Sequence, residues 1–131
     1  PWPVHCVKNS VGAQFADGLI VPRAIHTIDI EKKKDQDNAS YSTFVNTNLK
    51  QLLNNLQIYE IAVTGIATEY CVKATVIDAI NFGFEANVIT DLVRPINVYP
   101  DDSEKALEEM MSSGAKLLSS SELKNFWNKS Q

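Results

Sequence analysis

Residues 58–72 read IYEIAVTGIATEYCV. The first seven of them form a short apolar run rich in β-branched side chains, which is typical of a buried strand. Beyond this run, apolar residues recur at helical spacing, at Val72, Val76, Ile77 and Ile80. Gly83 follows as a candidate C′ glycine that would end the helix. A buried strand that leads directly into a helix is the repeating unit of parallel α/β sheets.

The same alternation of strand and helix continues along the chain. The predicted strands cover residues 25–31, 58–64, 84–90 and 115–118. The predicted helices begin at Ser42 or Thr43, Tyr70, Ser103 and Ser121. This order predicts one α/β domain, in which a parallel sheet carries helices on both faces through right-handed crossovers.

Composition excludes several classes of function. With 131 residues and 44% hydrophobic residues, the chain is one domain at most. A net charge of -4 argues against nucleic acid or an anionic membrane as a partner. There is no apolar stretch of membrane-spanning length and no signal-peptide pattern.

Two cysteines in contexts typical of cytosolic chemistry predict a cytoplasmic location, with the nucleus as a second compartment. The opening PWPVHC, without Met, predicts the C-terminal part of a longer polypeptide.

Cys71 is the strongest candidate for a catalytic residue. It follows the predicted strand at the first turn of the next helix, and ligands of such sheets bind beyond the carboxyl ends of the strands. The positive end of the helix dipole favours the thiolate, and the amides of the turn could stabilise an oxyanion. The simpler alternative is a packing cysteine. Because Val72, Val76, Ile77 and Ile80 already form the predicted buried face, catalysis is the better interpretation.

Other residues of the sequence are further candidates for catalytic or binding roles. One of Lys32, Lys33 and Lys34, which follow the predicted first strand, could stabilise the thiolate, although the residues alone do not show which. His5 could be a general base, a metal ligand or an ordinary loop residue. Three aromatic residues in loops or at a helix start could enclose a flat ring or simply pack their loops: Trp2, Tyr41 and Tyr70.

Taken together, three segments resemble the isochorismatase-like hydrolase superfamily, and most closely its nicotinamidases. WPVHCV at residues 2–7 is similar to the family's Trp-Pro-x-His-Cys-Val stretch. Residues 32–42 resemble the pattern Lys-Gly-x-Asp-x-Asp-x-x-x-Tyr-Ser, with Lys33 in place of glycine. Residues 65–75, GIATEYCVKAT, match the nucleophile segment almost residue for residue. The resemblance extends to about Leu118 and implies an isochorismatase-like, Rossmann-like three-layer sandwich. Residues 1–131 would be the C-terminal part of this domain, without its N-terminal central strand.

The resemblance also implies a reaction and its residues. Cys71 would attack the carboxamide of nicotinamide, release ammonia and form a thioester that water then hydrolyses. Lys32 would be the catalytic lysine, and the amides of Ala67 and Cys71 would form the oxyanion hole next to a cis peptide between Ile66 and Ala67. The substrate ring would contact Trp2, Tyr41, Ala67 and Tyr70.

A divalent metal, zinc, iron or manganese, is the implied cofactor. His5 would be one of its ligands, and the resemblance places the other ligands and the general-base aspartate upstream of Pro1. We therefore expect this chain alone to be inactive and the parent protein to be active. The resemblance leaves open whether the protein forms a homo-oligomer.

Two alternatives remain at this stage. Another cysteine amidohydrolase of the superfamily, acting on ureido or carbamoyl compounds, is the nearest rival. The isochorismatases themselves hydrolyse a vinyl ether and usually lack the cysteine, so Cys71 counts against them. A non-catalytic fragment that serves as a packing or interaction module is the other alternative.

Overall fold

A computed structural model of the chain describes residues 3–19, 28, 30 and 41–129. Within these residues the strands are β1 (Glu60–Ile66), β2 (Glu85–Arg94) and β3 (Lys116–Leu118). The α-helices are α1 (Leu49–Asn55), α2 (Lys73–Asn81), α3 (Asp102–Ser112) and α4 (Ser120–Lys129). A 3-10 turn at Val11–Ala13 and a π-helical turn at Thr68–Val72 complete the regular structure of this part of the chain.

The three strands form one parallel sheet in the order β1-β2-β3. The predicted α/β fold with a parallel sheet is therefore confirmed. The predicted first strand, residues 25–31, lies outside the described residues except for Ile28 and Ile30, which belong to neither a helix nor a strand.

The central strand β2 is buried on both faces. Ala86 and Val88 pack in one core cluster with Val76 of α2 and Met110 of α3. Because successive side chains of a strand point to opposite faces, the buried Ile89 lies on the other side of the sheet. Helix α4 also contacts β2. Burial of both faces is the pattern expected for a strand in the middle of an α/β sandwich.

Strand β2 is longer than the predicted 84–90. The register of β1 and β2 shifts between Val63 and Gly65, after which Gly65 pairs with Val93 and Ile66 with Arg94. This irregular pairing extends the strand to Arg94, and periodicity alone does not reveal it. Asp91 therefore lies within the strand instead of closing it.

The side chain of Asp91 anchors the start of α4. Its Oδ2 accepts a hydrogen bond from the Ser120 hydroxyl at 2.6 Å, and its Oδ1 accepts one from the Ser120 amide at 2.7 Å. These two donors hold the pKa of Asp91 below its usual range. Asp91 is thus a structural link between β2 and α4.

Glycines follow the ends of α2 and α3, whereas the start of α1 differs from its predicted cap. Gly83 and Gly114 follow α2 and α3 with φ angles of 89° and 109°, as expected for C′ glycines. Helix α1 begins at Leu49 and not at Ser42 or Thr43. The amide of Thr43 instead donates to the Thr75 hydroxyl of α2 at 3.0 Å, so this segment docks on α2 before α1 begins.

Among the described residues, none of the helices combines the length and the apolar character needed to cross a bilayer.

Candidate active site

The turn that carries Cys71 follows β1 directly. Gly65 has a φ of 105°, which a residue with a side chain rarely adopts, and the peptide bond between Ile66 and Ala67 is cis. The carbonyl of Ala67 then accepts hydrogen bonds from the amides of Tyr70 and Val72, both at 3.1 Å. The chain thus enters the helix through a π-helical turn, where the sequence predicts an ordinary α-helical start.

Cys71 lies at the edge of the hydrophobic interior. The neighbouring Val72 is buried and belongs to the core cluster, whereas Cys71 is half-buried and does not. Its thiol is free, as is the exposed thiol of Cys6. This partial exposure favours the interpretation of Cys71 as a reactive residue over that of a packing cysteine.

Two of the three predicted aromatic residues are brought together beside this turn. The ring centroids of Tyr41 and Tyr70 lie 5.2 Å apart, with an angle of 52° between the ring planes. Partial burial raises the pKa of Tyr70, and the nearby carboxylates of Asp102 and Glu69 raise it further. Its hydroxyl is therefore neutral at physiological pH. Trp2 lies outside the described residues.

His5 is held in a defined tautomer by its own loop. Its Nδ1 lies 2.6 Å from the carbonyl oxygen of Pro3. Because a carbonyl oxygen only accepts, we assign the hydrogen to Nδ1, which leaves the lone pair of Nε2 available for a metal. His5 therefore fits as a single metal ligand. Within residues 3–19, 28, 30 and 41–129, no group of three His, Cys, Asp or Glu side chains comes together to hold a metal.

Two predictions about catalytic groups remain untested by this structure. Lys32 lies outside the described residues. Ala67 precedes the π-helical turn and Cys71 lies within it, and the role of their amides as an oxyanion hole stays a prediction.

Glu69 is a buried residue of the turn whose tertiary role the sequence did not reveal. It is 8% exposed, and its Oε1 accepts hydrogen bonds from the amides of Ile96 at 2.8 Å and Asn97 at 2.6 Å. Its position next to the candidate nucleophile segment was the available signal, but its partners lie 27 and 28 residues away.

The family model for the isochorismatase domain matches residues 1–122. This chain belongs to the isochorismatase family. It is similar to the nicotinamidase of Escherichia coli K12, with 43% identity over 122 residues that cover 88% of this chain and 56% of the relative.

Solved structures of family members share the fold. The pyrazinamidase of Pyrococcus horikoshii in complex with zinc has a TM-score of 0.79 and 40% identity, covering 91% of this chain and 63% of its own. The yeast nicotinamidase bound to the inhibitor nicotinaldehyde has a TM-score of 0.76 and 32% identity, covering 90% of this chain and 58% of its own. These isochorismatase relatives confirm the resemblance and the α/β architecture. The chain spans a little over half of the length of the E. coli relative.

Proposed function

We propose that the protein containing this chain is a nicotinamidase, which hydrolyses nicotinamide to nicotinate and ammonia. The observation that carries the proposal is the half-buried free thiol of Cys71, at the first helical turn beyond the carboxyl end of β1. The E. coli and yeast nicotinamidases, which match most of this chain, support the choice of substrate.

The reaction takes place in two steps. The thiolate of Cys71 attacks the carboxamide carbon, and the tetrahedral intermediate collapses when the nitrogen takes up a proton and leaves as ammonia. Water then adds to the thioester carbonyl, the carbon–sulfur bond breaks, and nicotinate and the thiol are released. The amides of Ala67 and Cys71 donate hydrogen bonds to the oxyanion in both steps. In this proposal Lys32 stabilises the thiolate, and the general-base aspartate that the family resemblance implies for the parent protein would transfer the protons.

In this proposal the paired tyrosines bind the pyridine ring of the substrate. Tyr41 and Tyr70 present a tilted aromatic wall next to the nucleophile turn, and a flat pyridine can pack against such a wall. The family resemblance adds Trp2 as a third residue that would contact the ring. The nicotinate that is released would feed NAD synthesis. Two free thiols support a location in the reducing cytoplasm, with the nucleus as a second compartment.

A panel of amides tests the proposal. We expect ammonia release from nicotinamide to exceed that from benzamide, which lacks the ring nitrogen, by at least about tenfold in kcat/KM. An N-carbamoyl amino acid represents the rival class of substrate. Faster turnover of the carbamoyl compound than of nicotinamide would overturn the proposed substrate in favour of that class.

The divalent metal belongs to the same proposal. Bound at His5, it would orient the substrate through the ring nitrogen. We expect His5→Ala to lower the metal affinity of the protein by at least about tenfold, because a ligand of the metal is removed. Elemental analysis after dialysis against a weak chelator measures the effect. Cys6→Ser is the matched control, since its exposed thiol adjoins His5 and is itself a potential ligand. Loss of metal in Cys6→Ser but not in His5→Ala would contradict the assignment.

A further inference from the structure

We propose that Glu69 is a positioning residue that fixes the direction of Cys71 by clamping the nucleophile turn to the loop after β2. The inference rests on the proposed role of Cys71 as the nucleophile. Glu69 lies two residues before Cys71 and contributes a carboxylate that is almost completely buried, at 8% exposure.

The clamp joins the ends of two neighbouring strands. Oε1 of Glu69 accepts hydrogen bonds from two successive amides, those of Ile96 and Asn97, which follow the end of β2 at Arg94. Strands β1 and β2 are parallel, so their carboxyl ends meet at the same edge of the sheet. One oxygen atom thus connects the turn after β1 to the loop after β2.

The connection continues into α3. Asn97 has a φ of 52°, and its side-chain Oδ1 accepts a hydrogen bond from the amide of Ser103 at 3.0 Å in the first turn of α3. Asn97 is therefore held from two sides, at its amide by Glu69 and at its side chain by the first turn of α3. Because Glu69 ties the nucleophile turn to this loop, the turn has little freedom to rotate.

The geometry of a helical turn links Glu69 to Cys71. Two residues along a helix are separated by roughly half a turn, so their side chains point to nearly opposite sides. Glu69 points into the protein and is held there, and Cys71 consequently faces away from that anchor. If Glu69 were released, the turn could rotate and the sulfur would move relative to the amide carbon that it attacks.

Stability alone does not explain a glutamate at this position. Its second oxygen, Oε2, is buried and has no hydrogen-bond partner among the described residues. A buried carboxylate oxygen without a partner is costly, and side chains that break this rule concentrate at functional sites.

Three variants test the proposal in the protein that contains this chain. Glu69→Ala removes the acceptor, and we expect kcat for nicotinamide to fall at least about tenfold with KM changed less than about twofold. Glu69→Gln keeps a carbonyl oxygen in place of Oε1 and should retain kcat within about threefold of the wild type. Glu69→Asp keeps the charge but shortens the reach by one methylene, so kcat should fall as in Glu69→Ala.

Glu109→Ala is the matched control. The Glu109 carboxylate is exposed and binds Lys73 Nζ at 2.9 Å, so it contacts the first residue of α2, just after the same turn. We expect kcat to be unchanged there. If Glu69→Ala does not fold, as judged by circular dichroism, the comparison of kcat between Glu69→Gln and Glu69→Asp tests the proposal.

The outcomes separate this inference from the proposed function. Wild-type kcat in Glu69→Asp, or a folded Glu69→Ala that changes only KM, overturns the clamp while leaving Cys71 as the nucleophile. Failure of Glu69→Gln to restore kcat also overturns it, because the acceptor geometry would then not be what matters. Turnover that persists in Cys71→Ala, or a wild-type protein that releases no ammonia, overturns the proposed function instead.

Discussion

Cys71→Ala is expected to lower the release of ammonia from nicotinamide by at least about a thousandfold, because the proposed thioester forms on the sulfur of Cys71. Cys71→Ser should be nearly as inactive, since a serine hydroxyl is not ionised at neutral pH and is a far weaker nucleophile than a thiolate. A coupled assay for ammonia measures both variants against the wild type at saturating nicotinamide.

The second cysteine provides the control for this experiment. Cys6 is an exposed free thiol, and Cys6→Ala should turn over nicotinamide at the wild-type rate. Acid quenching of the wild type during turnover should trap a nicotinoyl group on the peptide that contains Cys71, detectable by mass spectrometry. Retained turnover in Cys71→Ala, or a nicotinoyl group on Cys6, would show that the nucleophile is wrongly assigned.

Lys32→Ala should have the second largest effect. A cation near the thiol favours the thiolate by Coulomb attraction, and its removal should lower the reactive fraction, and with it kcat/KM, by roughly ten- to a thousandfold. Lys34→Ala is the matched control, two residues further along the same basic run. We expect little change there, because the register of the Lys-Gly-x-Asp pattern selects Lys32.

The coupled ammonia assay compares the two lysine variants with the wild type at one pH. Equal losses in the two variants would contradict the register, since both residues would then contribute only general charge.

Local signals predicted much of the fold correctly. The apolar run that predicts β1 and the glycine Gly83 that ends α2 act through residues close to them in sequence. The strand itself covers Glu60–Ile66 and not residues 58–64, and none of its residues is buried, so the predicted burial of this strand was wrong. Predictions were less accurate where distant residues decide the outcome. Strand β2 reaches Arg94 because it pairs with β1 across a register shift, and α1 starts late because Thr43 docks on Thr75. Neither contact leaves a periodic pattern in the sequence.

In the candidate site, too, local sequence predicts some features and contacts between distant residues decide the others. The sequence by itself determined that Cys71 follows a strand at the start of a helix, because strand, turn and helix signals all lie within fifteen consecutive residues. Only the tertiary structure decided that Tyr41 packs against Tyr70 and that Glu69 holds the amides of Ile96 and Asn97. Such contacts depend on how the chain returns to the same edge of the sheet, and hydrogen-bond partners nearly thirty residues apart have no signature in local composition or spacing.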